Sequence, residues 1–86
     1  MLNRIILDEI MRLTPDGDDI SDFAILAIFA RFDIKVDLLT NDKNELYYSV
    51  RVPEILLSDI DTDDLINIRN GKWEYDDSKQ CIIKKL

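Results

Sequence analysis

Residues 32–39 and 45–52 alternate apolar and polar side chains on either side of a short polar break, and this pattern constrains the fold more than any other feature of the chain. Phe32, Ile34, Val36 and Leu38 share one parity, against Asp33, Lys35, Asp37 and Leu39; Leu46, Tyr48, Val50 and Val52 share the other run's parity, against Glu45, Tyr47, Ser49 and Arg51. A period of two marks half-buried strands, and Thr40-Asn-Asp-Lys-Asn supplies the turn between them. The register that sets Asp33 opposite Arg51 is expected, because sliding by two residues either way opposes Asp37 to Glu45 or Lys35 to Arg51, both repulsive. Such a hairpin has one apolar face and needs something to cover it.

The cover is written in the flanking segments. Over residues 2–14, Leu2, Ile6, Ile10 and Leu13 form one stripe at helical spacing with Ile5 beside it, while Leu7 and Met11 form a weaker pair on the far flank. Thr14-Pro-Asp-Gly-Asp-Asp is a loop, and Asp18 or Asp19 is placed to cap a second helix. Every residue from Phe23 to Ala30 is apolar, so this helix is expected to be the central buried one. Pro53 ends the second strand, and residues 54–57 fit either a helical turn or an irregular link. Asp61 or Thr62 caps a further helix running to about Asn70, with Asp63 and Asp64 in its first turn and Gly71 as a left-handed stop. Residues 72–76 and 80–86 read as a closing hairpin of open register around Asp77 and Ser78, with Trp73, Tyr75, Ile82 and Ile83 as its apolar content. The expectation is one α+β domain over residues 1–86: two N-terminal helices, a hairpin, a helix and a second hairpin, forming a four-stranded antiparallel sheet with the helices on one face.

Eighteen acidic residues against eleven basic ones give a net charge of -7, the wrong sign for displacing counterions from a nucleic-acid backbone. Cys81 is the single cysteine, so no internal disulfide is available and a reducing, cytoplasmic setting fits. No apolar run approaches the length of a bilayer span, and Arg4, Asp8, Glu9 and Arg12 interrupt the N-terminal apolar pattern, so neither a signal core nor an anchor is expected.

Chemistry has little to build on. The chain lacks histidine, which removes Ser-His and Cys-His pairs, and Gly17 and Gly71 are its only glycines, too few for a phosphate-cradling loop. Asp59, Asp61 and Asp63 alternate as in a calcium loop, but Asp64 stands where that loop needs glycine and Asn70 where it needs glutamate. Asp16, Asp18, Asp19 and Asp22 read as a solvated loop and cap, and Cys81 as a structural thiol. No enzyme activity, cofactor or metal is expected.

What remains is binding. The first expectation is a small interaction or regulatory module whose acidic surface meets a basic protein partner. In one form it is an inhibitor that presents carboxylates at positions 16–22, 59–64 and 74–77 in place of phosphates; small phage and mobile-element inhibitors share this size and charge. The residues singled out for partner contact are Asp59, Asp61, Asp63 and Asp64, together with Tyr47, Leu39 and Arg51 on the polar parity of the first hairpin. The alternative is an assembly component that self-associates, as a homodimer for example, through an apolar sheet or helix face marked by Leu7, Met11, Leu39 and Tyr47.

Overall fold

A computed structural model describes residues 2–16 and 20–86. It has helices α1 (Arg4–Met11), α2 (Asp22–Arg31), α3 (Val52–Leu57) and α4 (Thr62–Asn70), and strands β1 (Asp37–Thr40), β2 (Leu46–Arg51), β3 (Glu74–Asp76) and β4 (Cys81–Lys85). The strands make one antiparallel sheet in the order β1-β2-β4-β3, with the helices on one face, the mixed α+β class expected from the pattern. Helices α3 and α4 form the connection that carries the chain from β2 to the far edge strand.

The core lies between helices and sheet, with Trp73 at its centre. Its ring stacks on Tyr48 from β2 at 5.8 Å and meets Phe29 from α2 at 5.3 Å, both within the range of favourable ring pairs. Val50 and Ile82, paired across β2 and β4, are fully buried beneath Ile55, Leu65 and Ile68 from the helices. The indole N–H of Trp73 finds no acceptor among the described residues, so this ring is held by packing area and ring contacts.

Several local expectations are corrected. In α1 the buried side chains are Leu7, Ile10 and Met11, whereas Ile5 is 71% and Leu13 50% exposed. Both stripes reach the core: Leu2 and Ile10 of the expected stripe are buried and Ile6 is partly so, Leu7 and Met11 are buried as well where the helix packs along α4, and Leu13 falls outside because the helix has already ended. Leu7 and Met11 therefore cannot mark a self-association face. Helix α2 is not the central buried helix: it buries only Ile25 and Phe29, and Phe23 is 82% exposed. Its alanines carry too little area to demand burial, so an all-apolar run left one face outside. Its cap is Ser21, whose Oγ accepts the Ala24 N–H at 3.2 Å; Asp18 and Asp19 lie outside the described residues.

The first hairpin pairs Asp37 with Ser49 and Leu39 with Tyr47, two residues away from the expected register. The cause lies upstream. Asp33 takes φ 58° and closes α2, with its N–H on the Ala30 carbonyl and the Ile34 N–H on the Phe29 carbonyl, a left-handed stop that takes Asp33 out of the strand. Lys35 then precedes β1 and pairs with Asp37 at 3.6 Å, and Arg51 stands opposite Cys81, so the anticipated Lys35–Arg51 repulsion never arises. Asn41 fixes the turn: its side-chain oxygen accepts the N–H groups of Lys43 and Glu45, and Asn44 supplies the left-handed residue.

At the end of α4 the left-handed residue is Lys72, φ 68°, and not Gly71, φ -74°. Space favours Gly71, since a Cβ there would stand 3.1 Å from Ile25 Cγ1, tighter than an ordinary van der Waals contact. Residues 54–57, open between two readings, belong to α3, which begins already at Val52, expected in the strand, and accommodates Pro53 in its first turn, where no N–H is needed.

Candidate functional site

The fold distributes charge unevenly between its two layers. Among the described residues, segments 2–16, 20–31 and 52–71, which supply the helices, hold nine acidic residues against four basic ones; segments 32–51 and 72–86, which supply the sheet, hold seven of each. The excess of carboxylates among the described residues thus falls in the segments that supply the helices.

At the start of α4, Asp61 accepts the Asp64 N–H at 2.9 Å, and Asp64 pairs with Arg31 of α2 at 3.1 Å, a contact that ties the two helices together. Burial pushes the Asp64 carboxyl above its ordinary value, and the neighbouring Asp61 adds to this by repulsion and by a shared hydrogen bond, against the opposing pull of Arg31. Asp61 and Asp64 are therefore partly occupied by the fold. Asp59 and Asp63 are exposed and engaged in no ion pair among the described residues. The alternating carboxylates do not converge as in a calcium loop, because Asp61 is a cap and Asp63 already lies within the helix. No group of three or more His, Cys, Asp or Glu among the described residues could hold a metal ion.

Tyr47, Leu39 and Arg51 lie elsewhere, on the outer face of the sheet that carries no helices. Leu39 and Tyr47 are directly paired, Leu39 is 42% exposed, and the Lys79 ammonium sits 5.7 Å from the Tyr47 ring. Ile83 and Cys81 share this face on β4, with Glu74 and Asp76 opposite them on β3. Asp76 accepts from Ser78 Oγ at 2.7 Å, and this bond, with the Lys79 N–H, holds its carboxyl below the ordinary value. The seven residues singled out from sequence thus divide into two sets on opposite sides of the sheet, and no single flat surface includes both.

Sequence reasoning missed a cleft of about 500 Å³ lined by Asp8, Met11, Arg12, Arg69, Tyr75 and Asp77 among others. Arg4 organises its rim: it pairs with Asp8 at 3.1 Å, donates to Gln80 at 2.6 Å and to the Tyr75 hydroxyl, and lies over the Tyr75 ring. Arg69 closes the other end by donating to the carbonyls of Leu13 and Trp73 at 2.7 and 2.9 Å. Only the Arg4–Asp8 spacing was visible in sequence; the partners from the second hairpin are brought in by the fold. With Arg4 and Arg69 committed to closing contacts, the cleft is chiefly a joint between α1, α4 and the β3–β4 turn.

No helix among the described residues is long and apolar enough to cross a membrane. Comparison with protein-family models, with curated proteins and with solved structures found no match.

Proposed function

We propose that this chain is a non-catalytic protein-binding module whose helical side engages a basic surface on another protein, acting in a reducing, cytoplasmic setting. The observation that carries the reading is the partition of charge: among the described residues the excess of carboxylates falls in the helix-forming segments, and a one-sided field steers and orients a partner of opposite sign. Exposed Asp59 and Asp63, with Glu9 of α1, are the contact residues this reading favours. Its sharpest form is an inhibitor that occupies a nucleic-acid groove of its partner, the carboxylates standing where phosphates would.

The test is affinity capture from host lysate at low and high salt with wild type, with Asp59→Lys/Asp63→Lys, and with a sheet-face pair, Arg51→Glu/Lys85→Glu. The reading expects one captured basic protein, released by salt, lost with the first variant and kept with the second. It expects that protein to lose nucleic-acid binding when the module is added. Capture that ignores salt and follows the sheet-face pair contradicts it.

A second reading, self-association, draws on a different observation: Leu38 at 55%, Leu39 at 42%, Leu46 at 47% and Leu86 at 60% exposure gather at one corner of the sheet.

A further inference from the structure

The two edges of the sheet are defended unequally. Edge strand β3 is three residues long, carries Glu74 and Asp76, follows a left-handed Lys72, and has Tyr75 held by Arg4 from α1. Charges, brevity and cover are the usual protections of an edge. Edge strand β1 is also short, at four residues, but over Leu38, Leu39 and Thr40 it has no charge, no proline, no bulge and no covering side chain among the described residues, and it carries leucines on both faces.

The direction of its free backbone groups follows from the ladder. Antiparallel pairs alternate between bonded and non-bonded. The Asn41 N–H donates to Glu45 at 3.0 Å, so Asn41–Glu45, Leu39–Tyr47 and Asp37–Ser49 are the bonded pairs. The Leu86 N–H donates to the Leu46 carbonyl at 3.1 Å, which confirms that Leu46 and Tyr48 turn their groups towards β4 and away from β1. Leu38 and Thr40 therefore point their N–H and C=O groups out from the sheet edge.

We propose that β1 pairs antiparallel with β1 of a second copy of this chain, about a two-fold axis at Leu38, to make a continuous eight-stranded sheet. The inference deepens the self-association reading and is independent of the acidic-partner reading. At this register Leu38 meets Leu38 of the second copy and each exchanges both backbone bonds, while the outward groups of Thr40 meet those of residue 36. The occupant is a second copy because the edge is self-complementary: one two-fold serves the same outward groups and the same leucines on both partners. Charge permits it as well. Asp37 is the only charged residue of β1 and is paired with Lys35, so two edges meet without opposing like charges, and the acidic helical segments contribute only a longer-range repulsion. Short strands and partly exposed leucines keep the interface below about 1,200 Å² in total, which places it in the weak, transient class.

The test is sedimentation velocity on the full chain from about 10 µM to about 1 mM, the range in which a weak dimer forms, at low and high salt. The mass is expected to rise from 10.1 kDa towards twice that value, and at lower concentration when salt screens the net charge. Leu38→Lys is expected to weaken association by tenfold or more, as an edge lysine blocks pairing, whereas Leu57→Lys, at an 81% exposed site on α3, leaves it unchanged. Amide exchange of the wild type, which needs no variant, reads the register: Leu38 and Thr40 gain protection with concentration while Leu39, already bonded to Tyr47, does not change. A monomer throughout overturns both the edge pairing and self-association. A dimer that survives Leu38→Lys, or whose new protection lies elsewhere, overturns the edge pairing and leaves self-association through another surface.

Discussion

The helical side and the sheet handle charge differently. In the sheet, seven acidic and seven basic residues balance, and the pairs are local: Lys35 with Asp37, and Lys79 beside both Tyr47 and Asp76. Cross-strand neighbours stand about 5 Å apart, so an unbalanced charge there has an immediate cost. The helical side carries nine against four among the described residues, and part of that excess is structural: Asp22, Asp63 and Asp64 occupy first turns and Asp61 a cap, where carboxylates meet the positive end of the helix dipole. Asp8 answers Arg4, and Asp64 answers Arg31. Glu9, Asp16, Asp59 and Asp63 are left as exposed acids without an ion pair among the described residues. The bare -7 thus overstates the recognition surface, and the comparison reduces it to a few positions on one side.

Packing divides the same two layers, and this gives the largest expected effect. Trp73→Ala removes the ring shared by Phe29 and Tyr48 and is expected to cost about 3–5 kcal/mol in denaturant unfolding. Tyr47→Ala, on the outer face, is expected to cost less than about 1 kcal/mol. Similar losses at the two sites would mean that the outer face is as much core as the inner one. An intermediate effect is expected at the seam between α4 and α2: Gly71→Val crowds Ile25 and is expected to destabilise by about 1–3 kcal/mol.

The smallest effects concern pH, and here the two sides carry opposite signs. Asp64, on the helical side, has a raised folded-state value, so its contribution to stability is fully present below the ordinary 3.8 and is lost as pH rises through the raised value. Asp64→Asn is expected to abolish that loss and to change stability at neutral pH by less than about 1 kcal/mol, since the Arg31 pair it forfeits is a surface contact. Asp76, on the sheet side, has a lowered value, so its contribution is present above the ordinary 3.8 and disappears as pH falls through the lowered value. Ser78→Ala, which removes the main cause, is expected to shrink that acid-side loss. Unfolding midpoints followed from pH 7 to about pH 2 resolve both slopes, and slopes of the same sign for the two residues would break the contrast.

How far the sequence disclosed this molecule depended on whether a signal was local. The alternation at 46–51, the cap at Asp61 and the turn at Asn41 are chemistry within a few residues, and the mixed α+β class with its antiparallel sheet followed from them. The register failed because Asp33 had two uses, cross-strand partner or left-handed helix stop, and the stop requires contact with Phe29 and Ala30 that no alternation reveals. The burial of α2 failed because eight apolar residues do not say how much area each offers; the alanines offer little and Phe23 was left outside. That Leu7 and Met11 join Ile10 in the core reflects the packing of α1 along α4, some fifty residues away. For the candidate site, the parity of Leu39 and Tyr47 and the exposure of Asp59 and Asp63 were legible locally. Their separation onto opposite sides of the sheet, and the joint built by Arg4, Tyr75 and Asp77, are products of topology.

The most direct measurement is the association rate of the module with its captured partner as a function of ionic strength, for wild type, Asp59→Lys/Asp63→Lys and Arg51→Glu/Lys85→Glu. The account predicts a rate that falls steeply with salt in wild type, a markedly shallower dependence in the helical-side variant, and an unchanged or steeper one in the sheet-face variant. A salt-independent rate in wild type, or a dependence altered only by the sheet-face pair, would contradict the assignment of recognition to the helical side.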